Sequence, residues 1–257
     1  AISLPAAVAV VAVLGSIVAV LAAYSLPVVE REGAQFLLGT AWNPREVVYG
    51  ILPALAGTFY TSLLSVLLSL PISLGVVALE YEYAPQRLRR FIDSALYYAA
   101  AVPSVVYGVW GLHYVVPAVR QLSSILPLRA SPTGQSILAG AVVLAFINVP
   151  YMSLIVGEAY RSIPLSYREA LHSLGALGFE RFRVNVGLVK GAVAGASLLA
   201  FGRCVGETTA VSMVVGNSYN LALSPLEPGI TISSLIVNYA TEAALYPLIL
   251  NALLAAA

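Results

Sequence analysis

The chain has 257 residues, 60% of them apolar and 10% charged, with a mean hydropathy of +0.89, a composition that excludes an ordinary water-soluble domain. The net charge is +1, so bulk electrostatics give no ground for a nucleic-acid partner. A single cysteine, Cys204, excludes an internal disulfide and a multi-cysteine metal site; within its apolar run it reads as a small apolar residue.

A helix needs about 20 apolar residues to cross a hydrocarbon core of roughly 30 Å. Six runs in chain order are expected to do so: Ile2 to Val29, Ile51 to Leu79, Ser94 to Val119, Ser136 to Gly157, Gly191 to Gly216, and Ala243 to Ala257. These predict an all-α membrane protein with a single transmembrane domain over 1–257. The first run is too long for a signal-peptide core and has no charged leader. The last covers only about 22 Å at 1.5 Å per residue. With an opening that lacks Met, this suggests that both ends are trimmed. A start near Leu235 would lengthen the last span but bring Asn238 and Glu242 inside it. Pro71 and Pro103, with Gly75, Gly108, Gly111, Gly202 and Gly206, interrupt several spans. Such breaks are tolerated at membrane depth where neighbouring helices or a water-filled path satisfy the backbone. The sequence shows no internal repeat, so the inverted-repeat signature of many secondary carriers is not evident.

Orientation follows from the basic residues. Arg87, Arg89, Arg90, Arg161, Arg168, Arg181, Arg183 and Lys190 lie on one side, against Arg31, Arg45, Arg120 and Arg129 on the other. The first set places the second-to-third loop, the 158–190 loop and both termini in the cytoplasm of a multi-pass cell-membrane protein. The cluster Arg87, Arg89, Arg90 reads as a topology determinant beside lipid headgroups.

Arg203 falls inside the fifth span, about 18 Å along a helix counted from Gly191, where an unpaired charge costs on the order of 3 kcal/mol. Glu207 follows one helical turn later, so the two are expected to pair. The pair either locks this helix to a neighbour or faces a translocation path, where a guanidinium fork suits phosphate oxygens. Glu207 would then keep the anion from being held too tightly. Thr208, Thr209 and Ser212 add hydroxyls to the same stretch.

The loop 158–190 predicts a short helix running through Arg168 and Glu169 and ended by Gly175, with Ser166 as N-cap after Pro164. From the residues alone it fits a helix lying on the membrane surface. His113 reads as a packed or interfacial residue and His172 as a surface residue of the short helix; neither has metal-site spacing. Lys190, the only lysine, lacks a nucleotide-binding loop around it.

Glu169-Ala170-Leu171 followed by Gly175 resembles the cytoplasmic loop of type I ABC importer permeases, in which Glu-Ala-Ala is followed four residues later by Gly. Downstream the pattern departs: the family usually has Ile and then Leu-Pro where this chain has Asn185, Gly187 and Leu188. Three further segments, Pro103 to Gly111, Gly202 to Asn217 and Pro228 to Ser234, resemble the PstC family of phosphate-importer permeases, and the middle one favours it over its PstA paralogues. The resemblance spans about Trp42 to Glu242. It implies a six-helix permease bundle with a coupling helix, in which Glu169, Ala170, Leu171 and Gly175 dock on an ATPase. It also implies a PstA-like second permease, a PstB-like ATPase dimer that uses ATP and Mg, and a PstS-like phosphate-binding protein. No cofactor is expected on this chain, which is not itself an enzyme. Arg203 and Glu207 match the positions associated with phosphate passage. Neighbouring readings are a permease for molybdate or sulfate, a secondary carrier or channel using the Arg203 and Glu207 pair without ATP, and a structural or signalling subunit. The cytoplasmic helix separates the ATP-driven importers from the last two.

Overall fold

The computed structural model describes residues 3–125, 129–243, 245–246 and 248–257. Ile2, Ala244 and Pro247, which fall in the first and last expected spans, lie outside the described residues. The described residues are helical apart from one two-stranded hairpin and connecting turns, and the chain divides into two units.

The first unit comprises residues 1–58, 217–223 and 229–257. Its long helix α1 (Ser3–Glu32) leaves Val8, Val11, Leu14 and Val18 exposed, as befits a helix whose apolar surface is solvated by lipid. The short α2 (Gln35–Leu38) leads into strands β1 (Trp42–Asn43) and β2 (Val48–Tyr49), paired antiparallel with Trp42 opposite Tyr49. The indole of Trp42 meets Tyr49 edge-on at 5.0 Å and Tyr239 at 5.6 Å between centroids. Tyr219 donates its hydroxyl proton to the Gly50 carbonyl, and burial pushes its phenol well above the ordinary range. Helices α12 (Ile232–Ala240) and α13 (Ile249–Ala256) close this core. Within the expected sixth span, 243–257, the described helix is eight residues long, about 12 Å, and it is not one of the stretches among the described residues that are long and apolar enough to cross a membrane.

Helix α3 (Leu52–Ala78) belongs to the first unit up to Thr58 and to the second from Phe59. It continues through a π-helical turn, Leu79–Tyr83. The second unit comprises residues 59–216 and 224–228. It contains α4 (Gln86–Ala101), α5 (Ser104–Trp110), a second π turn (Gly111–Val115) and α6 (Val116–Ile125). The rest is α7 (Ile137–Arg161), α8 (Leu165–Ser173), α9 (Gly178–Leu188), α10 (Lys190–Gly206) and α11 (Thr209–Val214).

Helix α7 is the axis of this unit, with α4, α5, α10 and α11 all packed on it. Ser136 caps it by accepting from the Ala139 N–H at 3.2 Å. Thr61, Ser65, Ser69 and Ser73 form a buried row along α3 at four-residue spacing, the small side chains that let helices approach closely in lipid. Three of their hydroxyls reach α7. Ser73 donates to the Val149 carbonyl at 3.2 Å, Ser69 contacts Met152 Sδ at 3.3 Å, and Asn148 donates to Ser65 at 3.3 Å.

Among the described residues three helical stretches are long and apolar enough to cross a membrane, 6–32, 52–83 and 137–161, or up to five if each of two bent pairs counts as one span. The expected span Ser94 to Val119 is one of these pairs, 86–101 with 104–125, bent by 92°. Pro103 supplies no N–H, and its ring holds Val102 in an extended conformation, φ −64° and ψ 129°. The expected span Gly191 to Gly216 is likewise interrupted. Helix α10 joins α9 at a 74° bend and stops at Gly206.

Candidate functional site

Two places gather the residues singled out in the sequence. At the first, α10 ends at Gly206 and Glu207 is extended, with ψ 116°. The one-turn register expected to bring Arg203 and Glu207 together therefore does not extend that far. Glu207 Oε1 accepts from the Ala210 N–H at 3.3 Å, at the start of α11, where a carboxylate also complements the helix dipole. The exposed Arg203 guanidinium lies 5.5 Å from the centre of the Tyr151 ring, a cation–π distance. Thr208 donates to the Gly206 carbonyl at 3.3 Å and Ser212 to the Thr209 carbonyl at 3.1 Å. Thr209 is exposed.

The segments 103–111 and 202–217 meet, because α5 packs on α11. A Cβ on Gly108 would lie 2.7 Å from Met213 Sδ and 3.0 Å from Ala210 Cα, so the glycine permits this approach. Gln135 donates to the Met213 carbonyl at 3.1 Å and tethers the far end of α11 to the start of α7. The break after Gly206 is thus a held corner, and Arg203 sits on the outer face of this chain beside it.

The second place is the loop 158–190. Helix α8 carries Glu169 and Ala170 exposed and Leu171 half-buried. Its N-cap is Pro164 rather than Ser166, which lies inside the first turn. Its end is as expected: Gly175 has φ +71°. The Gly175 N–H donates to the His172 carbonyl at 3.0 Å and the Ala176 N–H to the Leu171 carbonyl at 3.1 Å. These two bonds make the Schellman closure that favours glycine. Glu169, Arg168 and His172 border a cavity of about 450 Å³ whose inner wall is Tyr160, Glu82, Arg181 and Asn185.

That inner wall was missed from sequence. Arg181 Nε donates to Glu82 Oε2 at 2.8 Å, and both side chains are largely buried. Tyr160 donates its hydroxyl proton to Glu82 Oε1. Asn185 Nδ2 reaches Glu82 Oε1 at 3.3 Å and the Tyr160 hydroxyl at 3.1 Å. Arg181 also donates to the Ala176 carbonyl at 2.8 Å. The available signals were an acid, Glu82, just past an apolar run, and Asn185 standing where the resembled pattern is apolar. Among the described residues no group of His, Cys, Asp or Glu is arranged to hold a metal ion.

Residues 72–256 match the family described as the binding-protein-dependent transport system inner membrane component. The probable phosphate transport system permease protein PstC of Methanocaldococcus jannaschii is 36% identical over 236 residues, covering 86% of this chain and 75% of the relative. The phosphate transport system permease protein PstC of Xylella fastidiosa is 35% identical over 228 residues, covering 83% and 70%. That of Mesorhizobium japonicum is 31% identical over 254 residues, covering 93% and 77%. With most of its length so matched, this chain belongs to the family of binding-protein-dependent transport system inner membrane components.

Proposed function

We propose that this chain is the permease subunit of an ATP-driven importer that moves inorganic phosphate into the cytoplasm by alternating access. The observation that carries this reading is α8, a nine-residue exposed helix bearing Glu169 and Ala170 and closed at Gly175. None of its residues is fully buried, and most of its surface is available to another subunit. A second permease subunit completes the path, a pair of ATPase subunits engages α8 from the cytoplasm, and a phosphate-binding protein delivers the substrate outside. ATP and Mg belong to the ATPase partner. Several basic residues, among them Arg168, Arg181 and Arg183, lie in the same loop, which supports a cytoplasmic position for it. Exposed Arg203 supports an anion path along this face, with Glu207, Thr208, Thr209 and Ser212 at its corner. An arginine fork is the group best suited to a tetrahedral oxyanion.

Vesicles holding the assembled importer test the reading by uptake of radiolabelled phosphate. Uptake is expected only with the ATPase subunit and ATP present. It is expected to fall at least tenfold, as an order of magnitude, on Arg203→Ala while all subunits still co-purify. Uptake that persists without ATP refutes the importer. Competition by molybdate or sulfate as strong as by phosphate reassigns the substrate.

A further inference from the structure

The polar cluster at the inner end of the 158–190 loop joins elements far apart in the chain. Glu82 belongs to the π turn that ends α3, Tyr160 to the last turn of α7, and Arg181 and Asn185 to α9. Fit is close here: a Cβ on Gly178, the first residue of α9, would lie 2.7 Å from the Tyr83 ring. Arg181 also holds the Ala176 carbonyl, immediately after the Gly175 closure of α8. One guanidinium therefore grips both the exit of α8 and the π turn of α3. Helix α9 then bends into α10, the helix that carries Arg203. Buried charge pairs of this kind contribute little net stability compared with apolar packing, yet losing one partner is costly. Such pairs suit a mechanical joint better than a stability device. π turns, too, recur where helices do work.

Resting on the importer reading, we infer that Glu82 and Arg181, steadied by Tyr160 and Asn185, are positioning residues that form the joint through which movement of α8 reaches α3. They touch neither substrate nor nucleotide. With the joint intact, displacement of α8 moves the end of α3 as well as α9. With it broken, α8 and α9 move while α3 stays behind, and ATP is hydrolysed without productive opening.

The test uses the complete importer, with hydrogen exchange read over residues 79–83 and 165–173, with and without a non-hydrolysable ATP analogue. In the native complex both segments are expected to respond to nucleotide. In Glu82→Gln and Arg181→Gln, 165–173 still responds and 79–83 does not. Phosphate imported per ATP hydrolysed falls on the order of tenfold, within the usual range of coupling between sites. Arg181→Lys, which keeps the charge, recovers part of the loss. A response at 79–83 that survives both Gln variants overturns the joint. So does a parallel fall of ATP hydrolysis and uptake, which is what mere structural damage gives. If the Gln variants do not assemble, Tyr160→Phe and Asn185→Ala are read in the same way. No nucleotide response at 165–173 in the native complex overturns the importer reading and the joint together, whereas a response there without one at 79–83 overturns the joint alone.

Discussion

Replacing Gly175 by alanine, asparagine or valine isolates the backbone requirement at the end of α8. A Cβ there meets nothing within 4 Å, so no packing term enters, and the cost is that of holding a side-chain-bearing residue at φ +71°. For an L-residue this is about 1–2 kcal/mol, a factor of roughly 5–30 between closed and frayed helix ends. Asparagine tolerates the left-handed region better and is expected to lose less, and β-branched valine more. Hydrogen exchange over residues 171–178 of the assembled complex reads the effect directly, because the Gly175 and Ala176 amides are the donors of the closure. Protection is expected to fall in the order Gly, Asn, Ala, Val. Equal protection in the glycine and alanine proteins, or asparagine worse than alanine, refutes the argument.

Cys204 is buried against Asn148, whose Nδ2 lies 2.9 Å from its Sγ. A maleimide is therefore expected to label the folded complex slowly and the denatured chain fully, with Asn148→Ala speeding the folded-state reaction by mass shift over time. In α3, a Cβ on Gly57 would overlap the Ile230 carbonyl oxygen, whereas one on Gly75 meets nothing within 4 Å. Gly57→Ala is expected to lower the unfolding temperature of the extracted protein, by overpacking of about 1–3 kcal/mol. Gly75→Ala is expected to hold or raise it, by up to about 1 kcal/mol.

Hydropathy located α1, α3 and α7 because each is one uninterrupted helix whose apolar residues need no knowledge of their neighbours. It misjudged the stretches around Pro103 and Gly206, where the average remains apolar while the backbone turns. Pro103 was visible as a break, but the size of the bend depends on α4 lying against α7. The closure at Gly175 was legible because left-handed backbone selects glycine locally. The one-turn spacing of Arg203 and Glu207 is interrupted for an equally local reason, the helix ending at Gly206. Glu82 and Arg181 are 99 residues apart, and no periodicity links them; Arg181 counted only as a basic loop residue. The expectation of a single transmembrane domain over 1–257 rests on composition, which carries no information on how residues 217–223 and 229–257 associate with the N-terminal stretch.

Thr61, Ser65, Ser69 and Ser73 are nearly interchangeable rungs. A slide of α3 along α7 by four residues, about 6 Å, would set one hydroxyl where another had been. The row is a rail, and it does not count turns. The next position in the series is Val77, which packs with Val156 and Tyr160, and beyond it Glu82 is tied to Tyr160. These contacts cannot be exchanged for their neighbours, so the end of α3 acts as the stop that gives the rail its register.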